Sequence, residues 1–562
     1  MAHTDPKDNK ILKLEKENER IRKQLTKFAK DRYGLFWFDV PEGFDNDIEN
    51  KLPILEEVPK LTIKNKDDKP THILIEGDNY HALTCLNYTH KGKIDVIYID
   101  PPYNTGSGFK YKDKRFLDKY PDGTEVPKES PHRHSYWLSF MNKRLELAKN
   151  LIKESGVVFI SIDDNEVAQL KLLCDSIFGE DNVEIYIWNL YDKTEGSFVK
   201  TPKNTVRKEH EYIIACFYDK NLIKFNKYTE FRYKDKDGFS NPNNDPRGSW
   251  MSGNISRNAI KTTTGSKYFT ITTPAGIKYT RNWSISKEEY DDLLKDDRLY
   301  FSNGGKGVPR IKVFQDESSQ NTQSSIFSNL KTSKTGKRQL LEIFSKIVFD
   351  FPKPTSLIKR LITIASSDKN SLILDFFAGT GTTGHAVMEL NKEDGGKRQF
   401  ILATNNDEVV NGEKYKIMTD ICYPRIKKCL NIYKESVKYY KTAFVGKNNI
   451  LNTDDKDKIE LAHNAGAMLA IAENTLEEVK KNSYYQLFEN KKQYTAVYFR
   501  EEFDKFDVFT KKIRSLKKPV AVYIFSWEKE MEFNEFENDK NITVKTIPQP
   551  ILEIYKRIYN LI

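Results

Sequence analysis

The stretch that most constrains this chain is residues 94–104, which read Ile94, Asp95, Val96, Ile97, Tyr98, Ile99, Asp100, Pro101, Pro102, Tyr103, Asn104. Five of the six residues before Asp100 are apolar and several are β-branched, which predicts a buried strand. Pro101 and Pro102 cannot donate to a ladder, so the chain must leave the sheet at the strand's C-terminal edge. In open α/β sheets that edge is where ligands sit. Asp100, the Pro101 carbonyl and the Tyr103 ring are then held on one stiff turn, with Pro102 continuing the bend. Two acceptors and an aromatic face suit a planar heterocycle that carries an exocyclic amine. An Asp-Pro pair alone marks only a turn; after an apolar strand, and followed by a second proline and a tyrosine, it is far more specific.

A second constellation lies some 270 residues later. Residues 371–377 read as a strand ending in Asp375, Phe376 and Phe377, followed by Ala378, Gly379, Thr380, Gly381, Thr382, Thr383 and Gly384 and a helix through Glu389. Glycines at 379, 381 and 384 are expected to let the backbone turn sharply and approach a ligand, while the helix N-terminus offers amides to a carboxylate. A Gly-x-Gly-x-x-Gly string by itself equally invites a dinucleotide. The next strand, 398–404, ends at Asn405, Asn406, Asp407 and Glu408, where an acidic side chain can take both hydroxyls of a ribose. The combination fits a nucleoside cofactor without a pyrophosphate, and S-adenosylmethionine fits better than NAD because nothing here speaks for hydride chemistry.

The rest of the chain frames these two motifs. Residues 72–75 read as a strand, 76–79 as a loop and 80–86 as a helix; 104–134 reads as a loop over the site. Residues 136–152 have helical periodicity, with Trp137, Phe140, Met141, Leu145, Ala148 and Leu151 largely on one face. Residues 156–162 form another apolar strand ending in Asp163 and Asp164. Strands alternating with helices predict an α/β fold around a parallel sheet. From residue 186 the alternation stops, and strand-like fragments (211–217, 268–272, 278–282) sit among Gly, Asn, Ser and Thr clusters, as in an inserted domain. The earlier pattern resumes at Phe351, Pro352, Lys353 and Pro354 and a helix over 355–365. Beyond 440 a third unit is expected, with a helix at 462–479, strands at 494–499 and 519–525, and a helix at 551–562. That last helix is too apolar for an isolated surface helix, so it is buried in the unit's own core or in an interface. The basic cluster 511–518 is either a solvated helix face or a nucleic-acid contact. Residues 11–28 have heptad-like spacing around Asn18, suiting a surface helix or a helix pair; residues 33–38 form an aromatic cluster expected to plug a core.

Composition narrows the partners. Net charge is +10 with 31% charged residues, which favours an anionic partner, nucleic acid first. No apolar run approaches the length of a membrane span, and the polar start lacks the apolar stretch of a signal peptide. The five cysteines are scattered without a Cys-x-x-Cys pair, which points to a reducing cytoplasmic setting and away from structural zinc. No metal site is proposed.

The motif order, with Asp100 to Tyr103 ahead of Phe377 to Gly381 and a domain between them, resembles the β class of amino-methyltransferases acting on DNA. Their sheet is a circular permutation of the common S-adenosylmethionine-dependent methyltransferase sheet. The wider pattern resembles the modification (Mod) subunits of type III restriction-modification systems. It runs through Arg32 to Leu35, Gly77 to Asn79, Asp100 to Thr105, Ile162 to Asp164, Arg247 to Trp250, Pro352 to Pro354, the glycine string, Thr404 to Asp407, and Ile421 to Arg425. That resemblance implies methyl transfer from S-adenosylmethionine to the N6 of adenine in double-stranded DNA, on a base flipped out of the helix. It implies a catalytic set of Asp100, Pro101, Pro102 and Tyr103. It also implies cofactor contacts at Asp78, Lys353, Pro354, Thr355, Asp375, Phe377, Ala378, Gly379, Thr380 and Gly381, with Asp407 or Glu408 on the ribose. The implied organisation is an N-terminal helical segment (1–50), a catalytic domain in two parts (51–185 and 345–440), a target recognition domain with a DNA-reading role (186–344), and a C-terminal dimerisation or partner-docking domain (441–562). A homodimer and a helicase-nuclease (Res) partner belong to the same picture. The alternatives are a stand-alone adenine methyltransferase, a non-catalytic DNA-reading subunit, and an RNA or protein amino-methyltransferase.

Overall fold

Strands from both halves of the chain build one ten-stranded sheet. They are β1 (Leu52–Glu57), β2 (Thr71–Glu76), β3 (Ile94–Ile99), β4 (Ile152–Ile162), β5 (Val183–Asn189), β6 (His210–Phe217), β7 (Ile326–Phe327), β8 (Leu372–Asp375), β9 (Gln399–Thr404) and β10 (Ser436–Val445). Their spatial order is β1-β10-β2-β9-β8-β3-β4-β6-β5-β7. The run from β10 to β4 is parallel, while β1 and β6 pair antiparallel with their neighbours. The computed structural model describes residues 18–20, 22–23, 37, 52–65, 69–104, 131–192, 196–197, 206–231, 238–257, 266–315, 318–328, 330–406, 408–410, 413–445, 455–499, 505–525 and 534–548. The heptad-like stretch apart from a few residues around Asn18, the loop over 105–130, Asp407 and the expected helix at 551–562 lie outside them.

Side-chain alternation sends the two faces of the parallel strands to different helix layers. Ile73, Ile75, Ile97, Ile99, Val158, Ile160, Leu374, Ile401 and Ala403 join one core with the apolar faces of α1 (Asn79–Thr89), α2 (Pro131–Leu151) and α3 (Val167–Phe178). The predicted face of α2, from Trp137 to Leu151, is buried throughout. A second row of helices, α4 (Thr355–Ala365), α5 (Thr382–Asp394) and α6 (Tyr423–Tyr433), packs in succession. No helix among the described residues is long and apolar enough to cross a membrane.

The unit borders differ from those expected. The chain divides into one unit of Met1–Asn226 with Ser324–Ile562, and a second of Lys227–Gln323. The expected start at 186 falls inside β5, and residues 211–217, read as part of the insertion, are β6 of the main sheet. Antiparallel edge strands break the strand-helix alternation, which is why the sequence pattern ended about forty residues early. The expected border at 441 falls inside β10, which pairs with both β1 and β2. Beyond it, α7 (Asp455–Ala472) ends earlier than predicted and Val479 lies in a strand, Glu477–Lys481. A five-stranded sheet follows. One face has its own core around Tyr485, Tyr498 and Phe509; the other, through Val497, Phe499 and Tyr523, shares the main core with Ala465 and Leu469 of α7. The C-terminal segment is therefore a layer of the first unit.

In the second unit, Arg247 binds Asp245 through two nitrogens, each at 2.9 Å. Buried Lys312 reaches the same carboxylate at 3.1 Å. The Arg247 guanidinium beside it holds the Asp245 carboxyl below its ordinary range. Trp250 donates its indole N–H to Asn243. The motif from Arg247 to Trp250 thus clasps this unit's own core.

A tight backbone approach positions the segment before α4. Gly336, in the helix Ser333–Phe344, lies so close to it that a Cβ would stand 2.2 Å from the Pro352 carbonyl oxygen and 3.0 Å from that of Lys353. Neither oxygen can yield without moving backbone. Gly336→Ala is therefore expected to lower stability by about 1–3 kcal/mol, measured by urea denaturation of the full chain.

Candidate functional site

Parallel pairing of β8 with β3 (Ile373 with Val96, Leu374 with Ile97) sets their C-terminal ends side by side. The chain after β3 proceeds to β4 on one side, and the chain after β8 to β9 on the other. Such a divergence leaves a crevice between the two loops, the usual ligand position in a sheet of this kind. Asp100 to Asn104 form one wall and Asp375 to Gly381 the other.

On the first wall the turn is fastened at several points. The Trp137 indole donates to the Pro102 carbonyl at 2.7 Å. Asn104, at φ 54°, a left-handed conformation that asparagine tolerates, donates to Glu166 at 2.5 Å. His134 Nδ1 meets the same Glu166 oxygen at 2.7 Å. Burial raises the Glu166 pKa, opposed by these two partners. Tyr103 donates its hydroxyl to Asp100 Oδ1 at 2.8 Å and lies 3.2 Å from Glu211 Oε2. Burial, with Asp100 and Glu211 adding to it, pushes the Tyr103 phenol well above its ordinary value, so it stays protonated.

Lys353 stands against the first wall. Its Nζ donates to Asp100 Oδ1 at 2.8 Å, Asp100 Oδ2 at 3.0 Å and the Tyr103 hydroxyl at 2.7 Å, and it lies 3.4 Å from Glu211 Oε2. Burial alone would pull the ammonium down, but Asp100 and Glu211 outweigh it and raise its pKa. Lys353 is thus a buried cation between two carboxylates, Asp100 and Glu211. Pro354 is the N-cap residue of α4, and Thr355 accepts from Gln339 at 3.0 Å.

On the second wall, Asp375 ends β8 by accepting from Phe377 N at 3.0 Å and from the Thr383 hydroxyl at 2.6 Å. Phe377 is half-buried beside Phe140, ring centroids 5.9 Å apart. Gly381, at φ 77°, gives the loop its left-handed turn and leaves no room for a side chain beside Cys422 and Ile426. Among the described residues, a Cβ on Gly379 would meet only the Phe377 carbonyl, at 3.7 Å. Gly384 behaves differently from expectation: its missing side chain makes room for Ile426, Leu402 and Phe400, so it serves helix-sheet packing. Beneath the loop, the buried Arg425 guanidinium donates to Thr380 Oγ1 at 3.0 Å and Thr382 Oγ1 at 2.9 Å.

Of the other expected cofactor residues, Asp78 caps α1, accepting from Tyr80 N at 2.8 Å, and stands 3.6 Å from Arg144. Asn406 donates to Glu76 at 2.5 Å at the end of β2. Asp407 lies outside the described residues, and Glu408 begins a short ribbon, Glu408–Val410 with Glu413–Tyr415.

The site also contains residues that no motif announced. Glu211, the second residue of β6, precedes an apolar run, and the sheet order brings it beside Asp100. Trp137 was read purely as core, yet its N–H fixes the turn.

A family model described as DNA methylase matches residues 94–523. The chain is 36% identical over 64% of its length to the type III restriction-modification enzyme StyLTI Mod subunit of Salmonella typhimurium, spanning 57% of that protein. It is 30% identical over 75% of its length to the EcoPI Mod subunit of Escherichia phage P1, spanning 71% of it. It is also 31% identical over 61% of its length to the type II methyltransferase M.KpnI of Klebsiella pneumoniae, spanning 82% of it.

Burial raises the Asp375 carboxyl to about 7, against an ordinary value near 4. The folded chain therefore holds a proton that the unfolded chain releases, and this contribution is complete below about pH 4 and is lost as pH rises through about 7. Asp375→Asn removes it. The wild type is expected to lose on the order of 3 kcal/mol more stability than the variant between pH 4 and pH 7, measured by urea denaturation across that range.

Proposed function

Because the chain belongs to the N6/N4 DNA methylase family, we propose that it transfers a methyl group from S-adenosylmethionine to the N6 of adenine at a specific site in duplex DNA, as the modification subunit of a type III restriction-modification system. The observation that carries this is the adjacency of the Asp100–Tyr103 turn and the Asp375–Gly381 loop at the ends of two paired strands. One wall presents acceptors for an amine, and the other a glycine turn beside an aromatic ring.

When bound, S-adenosylmethionine supplies an electrophilic methyl on a sulfonium already disposed to leave. Phe377 and the loop from Ala378 to Gly381 line its place, with Asp407 or Glu408 on the ribose. Asp100 and the Pro101 carbonyl accept the two amine hydrogens and aim the nitrogen lone pair across the crevice. Alignment of this kind supplies most of the rate. A base inside a duplex cannot reach such a crevice, so adenine is flipped out and stacked on Tyr103. Reading of the DNA sequence belongs to the inserted unit, Lys227–Gln323, through groove contacts. A homodimer and a helicase-nuclease partner complete the assembly. The match to a type II methyltransferase favours a second reading, a stand-alone enzyme; purification of the full chain from its host with or without a co-eluting nuclease separates the two.

Sequencing for N6-methyladenine in a host expressing this chain tests the reading, and a defined methylated motif is the expected result. Asp100→Ala is expected to lower methylation of that motif by roughly 10²–10³-fold or more, with S-adenosylmethionine binding retained by calorimetry. Near-normal turnover of that variant would remove Asp100 from its role. Exchange of residues 227–323 for the matching segment of a related protein is expected to change the methylated motif while adenine stays the target. A motif that stays unchanged would assign sequence reading to the first unit.

A further inference from the structure

Resting on the reading of Asp100 as the amine acceptor, we propose that Lys353 is a placeholder for the target amine, astride the Asp100 carboxylate until the base enters, and that Glu211 is the second carboxylate that receives its ammonium. Nζ lies 2.8 and 3.0 Å from the two Asp100 oxygens, spanning the edge an exocyclic amine must reach. Its approach to Glu211 is longer, at 3.4 Å, beyond a good charge-assisted hydrogen bond. Glu211 is thus a nearby acceptor not yet fully engaged.

Two physical demands drive the exchange. The adenine nitrogen gains positive charge as the methyl arrives, and an ammonium left beside it opposes that charge in a site of low dielectric. The ammonium cannot simply be abandoned either, because Lys353 is only 6% exposed and an unpaired buried charge is costly. Movement toward Glu211, 3.4 Å away, keeps the ammonium paired while it withdraws from the Asp100 edge. The Tyr103 hydroxyl, 2.8 Å from Asp100 and 3.2 Å from Glu211 and itself accepting from Lys353, lies between the two positions. Lys353 and Glu211 are on this account positioning residues, acting through Asp100.

The test uses the full chain and two duplexes carrying its methylation motif, one with the target adenine and one with an abasic site there, which has no amine. Dissociation constants come from fluorescence anisotropy for the wild type, Glu211→Gln, Lys353→Met and the double variant, each checked by thermal melting. In Glu211→Gln the ammonium stays on Asp100. Affinity for the adenine duplex is expected to fall about tenfold relative to the abasic duplex, the scale of one charge-assisted hydrogen bond. Adding Lys353→Met removes the competitor and is expected to restore the wild-type ratio. Equal losses on both duplexes, or a double variant no better than Glu211→Gln, overturn the proposal. Should Glu211→Gln fail to fold, Glu211→Asp keeps the charge with a shorter reach, and the proposal requires a smaller shift of the same ratio. Methyl incorporation by the wild type is measured on the same adenine duplex. Its absence overturns the functional reading itself, whereas incorporation without rescue overturns only the placeholder.

Discussion

The register between β3 and β8 is what the rest of the site depends on, and one carboxylate fixes it. Asp95, the only acidic residue within β3, accepts from Leu372 N at 2.8 Å and pairs with Lys153 at 2.6 Å. It therefore binds the start of β8 to the strand that precedes the Asp-Pro-Pro turn and to β4 on the other side. Because a one-residue slip reverses every side chain, this anchor also decides that Leu374 faces the shared core and that Asp375 ends its strand beside Asp100. The chain between the two strands is free to be long, since closure of a long loop costs only slightly more than closure of a shorter one.

Three loops leave the C-terminal ends of β2, β3 and β8, and each is held by a buried cation from another element. Arg144 of α2 donates to Asn79 at 2.5 Å and lies over the Phe140 ring, fixing the turn after β2. Lys353 holds the turn after β3, and Arg425 of α6 holds the glycine loop after β8. The three differ in how their charge is met. Lys353 is flanked by two carboxylates. Arg425 donates to threonine oxygens and lies 3.3 Å from His385, and burial lowers its pKa. A guanidinium with that surrounding has fixed hydrogen-bond geometry, whereas the Lys353 ammonium is bonded to one carboxylate with a second at 3.4 Å. A planar fork on the glycine side and a compact point charge on the Asp100 side differ in how strictly they fix their partners.

The strands and helices of the parallel core were legible because each is apolar on the faces it buries: α4 lies at its predicted bounds, and β3, β4, β8 and β9 within a few residues of theirs. The two walls were legible for a different reason. Asp-Pro-Pro-Tyr and Gly-x-Gly end strands by local chemistry that depends on nothing distant. What the sequence hid is what depends on sheet order. Glu211 enters the site only because β6 pairs antiparallel with β4. The pairing of Lys353 with Asp100 and Glu211 was hidden too, because both partners are distant in the chain. Gly384 and Gly381 look alike in a motif, yet one clears space for neighbouring side chains and the other makes the turn.

The inserted unit enters and leaves the first unit at points that are themselves fastened. Before it, Asn226 donates through its backbone N to the Ile364 carbonyl at 2.8 Å and through its side chain to Thr363, at the end of α4. After it, the Ser325 carbonyl accepts from Ile187 N at 2.9 Å, next to β7, whose two residues pair with β5. The same helix α4 follows directly on Lys353 and Pro354, and the same strand β5 carries Trp188, whose ring lies 5.9 Å from the Lys353 ammonium. Both attachment points therefore sit on elements that border Lys353, and the ends of the insertion are tied to those two elements.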